Sequence, residues 1–246
     1  IIHNPQVVEE LKSKGVMPAF SVSDIPEGSI VAIRSHGVTI EELEAIKKRG
    51  ARIIDATCPF VKRAQNIVLE LAKSGYGILI VGERDHPEVR ALVSYGLGKA
   101  SVYPDIPDEP KIGIVAQTTQ ILDSYREVVV EVLKRLVDVE EIRVFNTICR
   151  STEERQKEAR KIAEVADVVI VVGGKNSANT RRLYEIVAER NVPVYHIETE
   201  NDIEPSWFFG KEVVGITGGA STPEEIIERV VERVKNIVGG CFNGRE

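Results

Sequence analysis

VVIVVGGKNSANTRRL, residues 168–183, decides the fold. Five consecutive β-branched residues cannot alternate between core and solvent, so they read as a strand buried on both faces, the habit of a parallel sheet. A glycine-rich polar turn follows, and then a helical pattern begins. The same grammar recurs in both directions. Strands are expected at 30–34, 52–55, 77–81, 111–116, 142–145, 192–196 and 212–217. Helical periodicity lies between them, at 39–50, 59–74, 120–137, 151–165, 181–190 and 223–238. Alternation of this kind predicts α/β layers with mostly parallel sheets. Asn4-Pro5 pairs an N-cap with a first-turn proline, and Gly15 closes that helix. Thr39 with Glu42 and Ser151 with Glu154 read as capping boxes. The pattern repeats coarsely as three similar α/β lobes, at 1–58, 59–146 and 147–236, with a tail at 237–246.

Composition narrows the function. The 246 residues are 43% hydrophobic and 28% charged, with a net charge of −6. There is no basic stripe, so nucleic acid is not the expected partner. No apolar run reaches the ~18 residues that cross a bilayer, and no signal peptide opens the chain, so the expected place is the cytoplasm, without a membrane. Cys58, Cys149 and Cys241 are odd in number and far apart, which argues against a disulfide framework. The sequence opens on Ile1, already inside a structured pattern, and upstream residues are expected to be missing.

The turns after the strands carry the chemistry. His36 (RSHG), Cys58 (DATCP), His86 and Glu88 (GERDHPE), Thr118 (AQTTQ), Cys149 (NTIC), Ser177 and Asn179 (GGKNSANT) and Ser221 (GGAST) all follow apolar strands, and His3 precedes a helix start. Ligands of open α/β sheets bind beyond the carboxyl ends of strands. Helix N-termini there offer free N–H groups that suit an anion, so a phosphate ester or diphosphate is expected. The structural alternative is capping, which favours the same Ser, Thr and Asn. GGKNSANT is neither a Walker A loop nor a dinucleotide fingerprint. Cys58 and Cys149 each stand between a strand and a helix, where a thiolate is favoured. Their 91-residue separation is no metal motif, and buried structural cysteine remains open. His86 and Glu88, two apart around Pro87, can face one pocket. His196, inside an apolar strand, reads as structural.

The ordered set IIHNPQVV, RSHGV, DATCPFV, GERDHPEV, AQTTQ, NTIC, GGKNSANTRRL and GGASTP resembles the 4-hydroxy-3-methylbut-2-enyl diphosphate reductases over nearly the whole chain. The resemblance implies three α/β lobes with pseudo-threefold symmetry around a central cavity. It implies an oxygen-sensitive iron–sulfur cluster, [4Fe–4S] when active, held by three cysteines. The implied reaction is the last step of the non-mevalonate isoprenoid pathway: reductive removal of an allylic hydroxyl, giving isopentenyl and dimethylallyl diphosphates. Cys58 and Cys149 match two cluster ligands. His3, His36 and His86 match histidines around the diphosphate, while Ser177, Asn179 and Ser221 match its binders. Glu88, with Thr118 and His86, matches the catalytic proton-delivery set, Thr118 also lying beside the substrate. An electron donor such as ferredoxin or flavodoxin is implied. Two departures stand out: the family's N-terminal segment with its first cluster cysteine is absent, and Ala178 occupies a position where the family often has a second hydroxyl. The alternatives are a cluster-free diphosphate-binding module and a metal-dependent hydro-lyase.

Overall fold

A computed structural model describes residues 5–242, although the side chains of 5, 6 and 240–242 lie outside what it describes. The chain opens with helix α1 (Pro5–Ser13), closed by Gly15 at φ +85°. Strand β1 (Ile30–Ile33), helix α2 (Ile40–Lys48) and strand β2 (Arg52–Asp55) form a βαβ unit whose two strands pair in parallel. The expected capping box of α2 is present. The Thr39 hydroxyl accepts from Glu42 N–H at 3.1 Å, and the Glu42 carboxylate accepts from Thr39 N–H at 2.9 Å.

Helix α3 (Pro59–Lys73) leads into a four-stranded parallel sheet. Its elements are β3 (Gly77–Val81), α4 (Pro87–Tyr95), β4 (Ala100–Val102), β5 (Lys111–Ala116), α5 (Leu122–Arg135) and β6 (Glu141–Val144), with strand order β4-β3-β5-β6. Ile78 and Ile80 face a core with Val68, Leu71, Val89 and Leu92 from α3 and α4. Leu79, Ile112 and Ile114 face a second core with Tyr125 and Val132 of α5. Both faces of β3 are covered, which is why it reads as an unbroken apolar run.

Helix α6 (Arg150–Val165), β7 (Val168–Val172), α7 (Ala178–Ala188), β8 (Val194–Ile197), β9 (Val214–Gly218) and α8 (Glu224–Phe242) build the third parallel sheet, in order β8-β7-β9. Val168, Ile170 and Val172 pack on Ile226, Val230 and Val234 of α8. Gly215 is needed where Ile162 of α6 comes down on the sheet, because a methyl there would strike the isoleucine.

Contacts gather the described chain into two compact units. One runs Lys14–Cys149 and holds the first two sheets; the other combines α1 with residues 150–242 and the third sheet. The first two sheets share a unit because α2 packs on α4, and Ile40 N–H donates to the Ser94 hydroxyl at 3.0 Å.

Three local readings need correction. β4 was not anticipated, since three residues on a sheet edge carry no periodic signal. Ser151 does not cap a helix, because α6 already begins at Arg150. The helical backbone of α8 continues to Phe242, through most of the expected tail. No described helix is long and apolar enough to cross a membrane.

Candidate active site

In the four-stranded sheet the chain leaves β3 toward β4 and leaves β5 toward β6, so the direction reverses between β3 and β5. Ligand crevices of α/β sheets open at such reversals, beyond the carboxyl ends of the strands. The turn after β3 carries His86 and Glu88, and the turn after β5 carries Thr118. They meet. Glu88 is 1% exposed; its Oε1 accepts from Thr118 N–H at 2.6 Å and its Oε2 from the Thr118 hydroxyl at 2.8 Å. Burial pushes the carboxyl up from its usual range to about 7, against the pull of the two Thr118 hydrogen bonds. A carboxyl near neutrality exists in both protonation states at working pH, as general acid–base work requires.

His86 is the N-cap of α4, and Pro87 pre-sets the first turn. Its Nδ1 accepts from Glu88 N–H at 3.2 Å, which places the proton of the neutral ring on Nε2. The His36 ring stands edge-on to the His86 ring, centroids 5.1 Å apart at 78°. His36 sits on a tight turn closed by Gly37 N–H to Arg34 O at 2.9 Å, with Gly37 at φ +72°.

The two thiols stand at the ends of this chain of contacts. Cys58 N–H donates to Ser35 O at 2.9 Å, beside His36, and Cys149 N–H donates to Thr118 O, also at 2.9 Å. Cys58 is half-buried at the N-cap of α3, makes no side-chain cap, and precedes Pro59. Cys149 is buried just before α6. Neither forms a disulfide. The DATCP turn is held from below by Asp55, which accepts from Thr57 N–H at 3.0 Å and from its hydroxyl at 2.5 Å, and pairs with Lys62 at 2.9 Å. The Thr57 hydroxyl, then Lys62, hold the Asp55 carboxyl down to about 2. The NTIC turn is pinned by Thr147, whose hydroxyl donates to Ala116 O at 2.5 Å and accepts from Ala116 N–H at 2.8 Å.

The second unit holds the other predicted turns. Strand order reverses between β7 and β9. Ser177 caps α7, its hydroxyl accepting from Thr180 N–H at 3.3 Å, so the capping reading holds for this residue, while its own O–H remains a donor. Asn179 is 7% exposed, and neither atom of its amide has a protein partner. A buried amide of that kind suits an external ligand. Ser221 is half-buried in the turn before α8. The glycines let the two turns come close: a methyl on Gly219 would collide with the Thr180 hydroxyl, and one on Gly173 would stand 2.6 Å from Thr222 Oγ1. His196 Nε2 lies 2.9 Å from Gly173 O, and burial lowers its pKa, which fits a structural histidine.

His3 lies outside the described residues, as does the side chain of Cys241. Among the described residues no group of three or more His, Cys, Asp or Glu is placed to hold a metal.

Comparisons with known proteins place the chain in a family. The LytB protein family matches residues 1–235. The chain belongs to the LytB family. Among curated relatives, the 4-hydroxy-3-methylbut-2-enyl diphosphate reductase of Geobacter metallireducens is 48% identical over 96% of this chain and 85% of its own length. That of Syntrophotalea carbinolica is 49% identical over 96% and 86%. Among solved structures, an (E)-4-hydroxy-3-methyl-but-2-enyl diphosphate reductase, the terminal enzyme of the non-mevalonate pathway, superposes with TM-score 0.68 at 46% identity, over 96% of this chain and 86% of the other. The reductase of Plasmodium falciparum superposes with TM-score 0.88 at 29% identity, over 96% and 76%.

Gln65 and Thr180 are two of several buried polar residues that the sequence does not single out. Gln65 falls on the apolar face of α3 with Val61, Ala64, Val68, Leu71 and Ala72, all buried. A polar side chain at one of those helix spacings was the signal. Thr180 is fully buried between two glycine turns, and only a comparison of those turns would have found it.

Proposed function

We propose that this chain catalyses the reductive dehydroxylation of (E)-4-hydroxy-3-methylbut-2-enyl diphosphate, giving isopentenyl and dimethylallyl diphosphates. The supporting observation is a run of contacts in one unit, from the Cys58 backbone N–H on Ser35, beside His36, through His86, Glu88 and Thr118 to the Cys149 backbone N–H. It links the turns that carry two thiols to a carboxyl that titrates near neutrality. The names of the relatives support the same substrate.

The allylic C–O bond breaks, two electrons and two protons enter, and water leaves. An iron–sulfur cluster, when bound, supplies the electrons and a Lewis-acidic iron. Cys58 and Cys149 fit as two of its ligands: they are unbridged thiols at helix starts. The remainder of the ligand set comes from outside the described residues. Electrons arrive from a small carrier of the ferredoxin or flavodoxin kind.

The protein's part is positioning and proton supply. Glu88, protonated in part near neutral pH, gives its proton through the Thr118 hydroxyl to the departing oxygen. The α4 N-cap keeps His86 Nε2–H as a donor, and His36 is held edge-on beside it. These two rings and His3 serve the diphosphate. In the second unit Ser177, Asn179 and Ser221, at the starts of α7 and α8, are suited to an anion, with help from the helix dipoles.

The test is anaerobic turnover with a chemical reductant, scored by electrons consumed and by iron and sulfide per chain. Two electrons per product and iron that disappears in Cys58→Ser support the proposal. Water loss without electron uptake would make the chain a hydro-lyase. Pyrophosphate binding without iron would make it a binding module.

A further inference from the structure

The side chain of Gln65 is 1% exposed, yet neither its amide nitrogen nor its amide oxygen has a protein partner. Buried amides are nearly always satisfied, so an exception calls for a reason. Its neighbours supply one. Gln65 stands seven residues beyond Cys58, about two helical turns down the same face of α3. Helical side chains lean toward the N-terminus, which carries the amide back up toward Cys58. It arrives under the turn of His36: a methyl added to Gly37 would run into Gln65 Nε2 and stand 3.4 Å from Thr57 Cγ2. The amide therefore lies beneath both the RSHG and DATCP turns, which Cys58 N–H already ties together through Ser35 O.

We infer that Gln65 is a positioning residue of this site. Its amide, acting through an internal water, fixes the His36 turn against the Cys58 turn and so sets where that imidazole and that thiol stand. Such a water needs two or more polar partners, and an amide bordered by two turns of backbone provides them. The inference rests on the reading of His36 and Cys58 as site residues. It adds a residue that touches neither substrate nor iron.

Gln65→Met keeps the volume and removes both polar ends. If the amide were idle, removing it would leave function untouched and raise the melting temperature. If it were a structural tie alone, melting would fall while iron retention and KM stayed unchanged. The positioning role predicts a third pattern. Melting moves by no more than roughly 4 °C. Iron is lost from the anaerobically loaded protein about tenfold faster or more, and KM rises, as for outer residues that orient metal ligands. Gln65→His, which restores one donor and one acceptor, recovers most of both. Gln65→Leu serves if the methionine variant does not fold. Failure of both apolar variants to fold, or unchanged iron retention and KM, would each overturn the inference. Cys58→Ser, run in parallel, tests the underlying reading separately: iron retained in that variant removes the site itself, whatever Gln65 does.

Discussion

The turns of the first unit and those of the second solve different problems with similar sequence. Around β3 and β5 the polar side chains are spent on one another. Glu88 takes both donors of Thr118, His86 takes the N–H of Glu88, and each thiol's own backbone N–H is bonded to a neighbouring turn. Around β7 and β9 the Asn179 amide has no protein partner, and the Ser177 hydroxyl, which caps α7, keeps its own O–H to donate. The first arrangement fixes angles and proton affinities. The second keeps donors in reserve for an anion. Chemistry needs the former and binding the latter, and the substitutions below set the two against each other.

Glu88→Gln should have the largest effect. Gln still accepts from Thr118 N–H but carries no mobile proton, so turnover should drop by roughly 10²–10⁴ with substrate binding kept. A matched loss of binding, measured by calorimetry, would instead make Glu88 an orienting group. The same variant isolates a pH effect. The folded carboxyl titrates near 7 against an ordinary 4.5, so the native state holds its proton longer. Glu88 therefore penalises folding increasingly as pH rises from about 4.5 to 7, by an amount on the order of 3 kcal/mol at the top of that window. Gln should melt progressively higher than the parent across that window and then level off. A constant difference from pH 4 to 8 would remove the raised carboxyl.

In the second unit the effects should separate. Asn179→Ala should weaken pyrophosphate binding by roughly 10–150-fold, the worth of one charge-assisted hydrogen bond, at no cost in melting temperature. Ser177→Ala should also cost stability, about 1 kcal/mol for the lost cap. Equal melting losses in both variants would erase the contrast between a capping Ser177 and an unpartnered Asn179. The smallest effect should come from Asp55→Ala. Its pair with Lys62 is about 40% exposed on either side, so the loss should stay within about 1 kcal/mol. The carboxyl sits near 2 against an ordinary 3.8, so its contribution is full above pH 3.8 and fades as pH falls toward 2. Urea titrations at pH 7 and pH 2.5 would show it.

Much of this was legible because β3 and β7 are buried along their whole length. VVIVV and GILIV, rich in β-branched residues and closed by glycine turns, read as interior strands, and the polar turns after them lie at the carboxyl ends of β7 and β3. Glu88 and Thr118 were legible as residues and not as a pair. Thirty positions separate them, and only the adjacency of β3 and β5 joins them. Gln65 was hidden by its type, since a glutamine in a charged helix reads as a solvated position until the spacing of Val61, Ala64 and Val68 is counted. The end of α8 was misread because two glycines break the helical pattern before the backbone does.

One consequence follows from the grouping of α1 with residues 150–242. The first unit is a continuous stretch and can settle as soon as Cys149 has emerged from the ribosome. The other must wait for the opposite flank of the chain before its opening helix finds a partner. In a chain that folds as it is made, the order expected is therefore thiols and proton relay first and anion-binding turns later.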